Sequence, residues 1–154
     1  MKITVICVGK VKEKFYREAI TEFSKRLSGY CRLEIIEVAD EKTPDSAGEA
    51  LEEQIKKKEA SRILKYIKED AFLFTLEIQG KQYDSVELSE RLEKLMTIQF
   101  VIGGSLGLHE SVTERADEAI SFSRMTFPHQ LMRVILLEQI YRSFRILSGE
   151  PYHK

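Results

Sequence analysis

The residues best suited to chemistry lie in two loops and a tail in the last third of the chain. Gly103–Leu108 is glycine-rich and follows an apolar run, whereas Ser121–Pro128 mixes Ser and Thr with apolar residues just before a helical pattern. The tail reads Pro151-Tyr152-His153-Lys154. Glycines allow a ligand to approach the backbone closely, and a histidine can accept a proton near neutral pH. The combination favours a ligand site with a titratable group beside it.

Neither loop matches a nucleotide-binding motif. Gly103-Gly104-x-x-Gly107 lacks the G-x-G-x-x-G spacing of a dinucleotide site, and no Gly-Lys-Ser/Thr follows it as in a phosphate-binding loop. The glycines also fit a tight turn between a strand and a helix. The hydroxyls of Ser121–Pro128 are expected in the first place to cap the helix that follows, although its backbone groups could recognise the edge of a planar base.

These loops sit in an alternating pattern of strands and helices. Strands are predicted at Lys2–Val8, Arg32–Val38, Ala71–Leu76, Ile98–Ile102 and Ala119–Ser123. Helices are predicted at Lys12–Leu27, from Thr43-Pro44 onwards, after the capping box Asp84/Glu87, near Glu110–Ala116, and at Pro128–Leu147. The alternation predicts one α/β domain over residues 1–154, with a mostly parallel sheet flanked by helices.

Such a sheet brings separate loops together. Ligands of open α/β sheets bind at the carboxyl ends of the strands. Three segments leave predicted strands at such ends, namely the stretch after Leu76, the Gly103–Leu108 loop and the Ser123–Pro128 loop. We therefore expect one site built from all three.

The last predicted helix is unusually apolar. From Leu131 to Leu137 only Arg133 is polar, so the apolar surface is too wide for a single core-facing stripe. This favours a homodimer, in which a second copy covers part of the helix. Further along, Glu138, Arg142 and Arg145 share a face; they could form a surface ion pair or present an arginine to phosphate or ligand.

Composition narrows the class of protein. The 154 residues carry a net charge of −1, which argues against a protein that coats nucleic acid non-specifically but allows a local basic patch. Candidate residues for that patch are Lys10, Lys12, Lys14, Arg17 and Arg124. Cys7 and Cys31 fit no disulfide framework or zinc spacing, and the apolar N-terminus is too short for a signal peptide or membrane span. We expect a cytoplasmic protein that binds neither metal nor membrane.

Taken together, the motifs are those of a known family. The chain resembles the SPOUT methyltransferases over its whole length, in particular the small members that methylate N3 of a pseudouridine in 23S ribosomal RNA. The resemblance is carried by Phe100–Leu108, Ser121–His129, Gln130–Arg145 and Gly149–Lys154. It implies a deep C-terminal trefoil knot, a homodimer, S-adenosyl-L-methionine as methyl donor, and the assembled ribosome as substrate.

The resemblance also implies roles for individual residues. The expected contacts to S-adenosyl-L-methionine are Leu76, Gly103, Phe122, Ser123, Arg124, Met125, Thr126 and Phe127. Arg142, Tyr152 and His153 are the expected catalytic residues. His153 would accept the N3 proton, and Arg142 would steady the anionic base or a phosphate.

Two alternatives stay open at this stage. One is a methyltransferase that acts on another RNA, such as a transfer RNA. The other is a dimeric ligand-binding module without catalysis, in which the glycines and the tail are structural.

Overall fold

Five parallel strands form the frame on which the loops are placed. The computed structural model describes residues 1–154. Its strands are β1 (Lys2–Val8), β2 (Arg32–Val38), β3 (Phe72–Gln82), β4 (Thr97–Ile102) and β5 (Glu118–Ser121). They form one sheet in the order β2-β1-β4-β3-β5, and every neighbouring pair is parallel. All carboxyl ends therefore lie at one edge, and the predicted α/β class with a mostly parallel sheet is confirmed.

Helices cover both faces of this sheet. They are α1 (Lys14–Leu27), α2 (Glu49–Leu64), α3 (Ser85–Glu93), α4 (Glu110–Thr113) and α5 (His129–Leu147). One buried cluster joins alternate residues of β1 and β4 to α1, α3 and α5, and a second joins the intervening residues to α2 and α4. Because successive side chains of a strand point to opposite faces, the central strands are apolar throughout. None of the five helices has the length and apolar character needed to cross a lipid bilayer.

The start of α2 differs from the sequence prediction. We expected Thr43-Pro44 to open this helix, but it begins at Glu49 after the N-cap Gly48. Pro44 instead starts a turn, in which its carbonyl accepts a hydrogen bond from the Ala47 amide at 3.0 Å. Pro-Asp-Ser is a favourable turn sequence, and here that preference is stronger than the preference of proline for a first helical turn. The capping box of Asp84 and Glu87 at the start of α3 is confirmed.

The third strand is almost twice as long as predicted. It continues past Leu76 to Gln82, and Ile120 of β5 pairs with both Leu76 and Lys81 because the register shifts between them. Gly80 allows this crossing, since a Cβ there would lie 2.6 Å from the carbonyl carbon of Ile120. The backbones of β3 and β5 thus touch where no side chain fits.

A buried arginine fixes the start of α5. Arg133 is only 2% exposed, and its Nη1 donates to Glu37 Oε2 at 2.6 Å. Its Nη2 donates to the carbonyl oxygens of Gly9 at 2.5 Å and of Val8 at 3.3 Å. The one polar residue in the apolar stretch of this helix therefore ties α5 to the carboxyl ends of β1 and β2.

We expect Arg133→Met to lower the free energy of unfolding by about 3 kcal/mol, because it removes the cation paired with Glu37 and leaves two backbone carbonyls without their side-chain donor. Urea titration measures this change. Lys14→Met is the control, since Lys14 pairs with Glu18 in an exposed contact of 3.7 Å, and its stability should be unchanged. Equal stabilities for the two variants would show that the buried pair contributes nothing.

Candidate active site

A cavity opens at the carboxyl ends of β3, β4 and β5. It has a volume of about 620 Å³ and is lined by the end of β3, the glycine-rich loop after β4 and the loop after β5. We call it the donor cavity, after the methyl donor that the resemblance leads us to expect there. The three segments singled out in the sequence therefore do converge, as a parallel sheet requires.

The glycine-rich loop forms one wall of the donor cavity with its backbone. The Gly107 amide donates to the Gly104 carbonyl oxygen at 3.1 Å, which closes the loop on itself. A Cβ on Gly103 would lie 2.9 Å from the carbonyl carbon of Gly107 and 3.1 Å from Cδ2 of Leu108. The loop is thus folded too tightly to hold a side chain at position 103.

The loop after β5 forms the opposite wall. The Ser121 hydroxyl donates to the Ser123 carbonyl at 3.0 Å, and the Ser123 hydroxyl accepts from the Met125 amide at 3.0 Å. The hydroxyls therefore shape the loop itself. The capping interpretation is wrong, because α5 has Pro128 as its N-cap and no side-chain hydrogen bond there.

Seven of the eight residues expected to contact S-adenosyl-L-methionine line this cavity. They are Leu76, Gly103, Phe122, Ser123, Met125, Thr126 and Phe127. Arg124 is exposed and does not line the cavity. Sequence reasoning missed Ile78, because β3 runs on past its predicted end, and it missed His129 and Met132, which lie one turn apart at the start of α5.

His129 is a neutral part of the cavity wall. Burial lowers its pKa, and the nearby Arg133 guanidinium lowers it further. Its Nδ1 is buried without a hydrogen-bond partner. Asp40 and Glu13 act on the pKa in the opposite sense, and the net effect favours the neutral imidazole.

A carboxylate holds the tail against α5. Glu138 accepts hydrogen bonds from Arg142 Nη2 at 2.6 Å and from the Tyr152 hydroxyl at 3.0 Å. The Arg142 guanidinium also lies 4.7 Å from the centre of the Tyr152 ring. The predicted ion pair between Glu138 and Arg142 is present, and it is part of a three-residue cluster that positions the tail.

A second contact anchors the tail at its beginning. Tyr30 donates to Glu150 at 2.7 Å, and Arg145 binds both of these side chains. Arg142 and Arg145, which were predicted to share one face of the helix, thus have different partners. Arg142 pairs with Glu138, and Arg145 pairs with Glu150.

His153 lies next to Arg142 and lines a second pocket. Arg142 Nη1 is 3.3 Å from His153 Nδ1, and because a guanidinium only donates, Nδ1 must be the acceptor. The neutral ring then carries its proton on Nε2. The second pocket, of about 500 Å³, shares Ile120, Ser121, Phe122 and Phe127 with the donor cavity. The two cavities therefore adjoin along these four residues, and ligands bound where they meet would lie side by side.

Removing Glu138 should lower the pKa of Tyr152. Burial of the phenol makes the largest contribution to raising this pKa, and the hydrogen bond and negative charge of Glu138 raise it further. In Glu138→Ala both contributions of the carboxylate are lost, while Arg142, which favours the phenolate, stays. Titration followed by NMR of ¹³Cζ-labelled tyrosine measures the shift, with Tyr152→Phe assigning the signal.

Glu90→Ala is the matched control, because Glu90 is exposed on α3 and far from the tail in sequence. It should leave the Tyr152 titration unchanged. An unaltered Tyr152 titration in Glu138→Ala would mean that Glu138 does not hold the tail in solution.

Comparison with known proteins places the chain in a family. Residues 1–153 match the family described as "Predicted SPOUT methyltransferase". Over their full lengths, the chain is 60% identical to a Bifidobacterium adolescentis protein named "Ribosomal RNA large subunit methyltransferase H" and 59% identical to a Clostridium botulinum protein of the same name. It is 58% identical, again end to end, to a Methanococcus maripaludis protein named "Putative ribosomal RNA large subunit methyltransferase H". The family match and the paired cavities agree, and the chain belongs to the SPOUT methyltransferases.

Proposed function

We propose that this protein transfers a methyl group from S-adenosyl-L-methionine to N3 of a pseudouridine in 23S ribosomal RNA, on the assembled ribosome and as a homodimer. The similarity of about 60% to full-length relatives named for large-subunit rRNA methylation supports the choice of RNA. The observation that carries the mechanism is the wall shared by the donor cavity and the second pocket.

The residues of the donor cavity fit a large, partly polar methyl donor. Exposed backbone of the two loops offers hydrogen-bond groups to an adenine edge and to hydroxyls, while Leu76, Phe122 and Met132 supply apolar contact. Gly103 lets the glycine-rich loop fold closely on itself, so that the backbone of the loop forms this wall of the cavity. Neutral His129 is compatible with a cationic sulfonium, which a charged imidazolium would repel.

S-adenosyl-L-methionine, when bound, supplies a methyl group already activated on a sulfonium. The protein therefore needs no nucleophile of its own. Its loops have to hold the donor and the acceptor nitrogen in line, with the reacting atoms about 3 Å apart, and to exclude water. The remaining chemical task for the side chains is to remove the proton from N3.

We assign removal of that proton to His153 and stabilisation of the resulting anion to Arg142. In the proposed mechanism the N3 proton passes to His153 Nδ1, directly or through one water. Arg142 Nη1 then loses its acceptor on the ring and becomes free to donate to an oxygen of the anionic pyrimidine or to a phosphate. Tyr152 acts as a positioning residue, because it contacts Arg142 with its ring and Glu138 with its hydroxyl.

The homodimer and the RNA surface belong to the same proposal. Leu131 and Val134 of α5 are only half-buried in the isolated protomer, which leaves an apolar surface that a second copy would cover. Four of the five basic residues predicted to contact RNA precede α1 or lie in its first turns, and all five are exposed. Two copies would gather these charges despite the net charge of −1.

The donor cavity is tested by Gly103→Ala. We expect the dissociation constant for S-adenosyl-L-methionine, measured by calorimetry, to rise at least roughly tenfold, because the added Cβ displaces the glycine-rich loop. Gly29→Ala is the matched control, since nothing lies within 4 Å of a Cβ there. Equal affinity in both variants would place the donor elsewhere.

The reaction is tested with labelled S-adenosyl-L-methionine and three acceptors: ribosomes that lack the modification, free 23S RNA and transfer RNA. Label on N3 of a 23S pseudouridine in intact ribosomes is the expected result. Label in transfer RNA would overturn the choice of substrate, and donor binding without transfer to any RNA would favour the non-catalytic module.

His153→Ala should lower the rate on ribosomes roughly 100-fold without changing donor affinity, because general-base catalysis is lost. Lys154→Ala is the neighbouring control and should keep the wild-type rate. Full turnover in His153→Ala would remove His153 from the mechanism.

A further inference from the structure

The second pocket has the position and lining expected of a site for an acceptor nucleotide. It lies between the start of α3 and the middle of α5, and its volume of about 500 Å³ exceeds that of a single nucleoside. Phe122 and Phe127 line both it and the donor cavity, so a base stacked on either ring would lie beside the donor. We call it the acceptor pocket.

One amide on the wall of the acceptor pocket has a fixed orientation. Gln139 Nε2 donates to Glu138 Oε2 at 2.8 Å, and Ser85 Oγ donates to Gln139 Oε1 at 2.7 Å. Because a carboxylate only accepts hydrogen bonds, the nitrogen must face Glu138 and the oxygen must face Ser85. One N–H of Nε2 and one lone pair of Oε1 then remain without a partner on this amide.

Pseudouridine and uridine differ in the edge that could meet this pair. The ring of pseudouridine is joined to ribose through carbon, so its N1 carries a hydrogen next to the C2 carbonyl. In uridine N1 is bonded to the ribose and donates nothing. A free amide acceptor beside a free amide donor is the complement of N1–H beside C2=O, and N3 lies on the other side of that carbonyl, away from the amide.

We propose that Gln139, with its amide set by Ser85 and Glu138, selects pseudouridine over uridine by binding N1–H and the C2 carbonyl in the acceptor pocket. The inference rests on the proposed function, because it concerns the acceptor of the same reaction. A site that binds a substrate N–H discriminates strongly against an analogue without it, since its own polar atom is then left unpaired. Gln139 would thus act on specificity, whereas His153 acts on the proton.

The test compares two ribosome preparations that both lack the N3 methyl group, one with pseudouridine at the target position and one with uridine. Rates of methyl transfer are measured for the wild type, for Gln139→Met and for Gln54→Met. Met keeps the length of glutamine without its amide, and Gln54 is an exposed control on α2. Donor affinity is measured for each variant by calorimetry.

We expect the wild type and Gln54→Met to prefer pseudouridine roughly 100-fold, and Gln139→Met to lose most of that preference while donor affinity stays within about twofold. Ser85→Ala, which releases the amide oxygen, should lose part of the preference and serves as the second variant if Gln139→Met binds donor poorly.

The inference would be overturned if Gln139→Met kept the full preference for pseudouridine. If Gln139→Met binds donor poorly, the same result with Ser85→Ala would overturn it. A wild type that methylates both preparations equally would also overturn it, but would leave the methyltransferase proposal standing. A wild type that binds donor and methylates neither preparation would overturn the proposed function itself, and the inference with it.

Discussion

The buried guanidinium of Arg133 ties down the start of α5, and α5 carries residues of both cavities and the side chains that hold the tail. Through Glu37 and the carbonyls of Val8 and Gly9, the guanidinium joins the first turns of α5 to the ends of β1 and β2. His129 and Met132, on either side of it in sequence, then line the donor cavity. One and two turns further along, the helix presents the residues that hold the tail and line the acceptor pocket. The contacts of one buried arginine thus fix the helix that contributes side chains to both cavities.

The sequence was sufficient to predict the layout of the fold but not its irregular parts. Alternating apolar runs and turn residues predicted the parallel sheet, and the Asp84/Glu87 box predicted the start of α3 correctly. The extension of β3 past Leu76 was missed because Glu77–Gln82 is polar and its pairing with β5 is a long-range contact. The start of α2 was misplaced because proline favours both turns and first helical turns. Convergence of the loops and the pairing of Glu138 with Arg142 followed from the sequence, whereas the partners of Arg133 and the contact of Tyr152 with Glu138 became known only from the structure.

Because the chain belongs to the SPOUT family, its fold includes the deep C-terminal trefoil knot that the resemblance implied. Residue-level rules could not have predicted it, since connections in proteins very rarely thread one another. The touching backbones of β3 and β5 at Gly80 are consistent with such a crowded crossing. The sheet order β2-β1-β4-β3-β5 makes nearly every pairing distant in sequence, so the loop-closure cost of folding is high.

The carboxylate of Glu138 has one further consequence, for the entropy of substrate binding. Arg142 and Tyr152 are long side chains that would otherwise sample many rotamers, and each would lose that freedom when a nucleotide arrived. Held by Glu138 and stacked on each other, they have given it up during folding. Rotamer freedom already lost in the free protein no longer opposes association. In the proposed reaction the tail would thus meet the substrate as a preorganised surface, although it consists of a few residues at the edge of the domain.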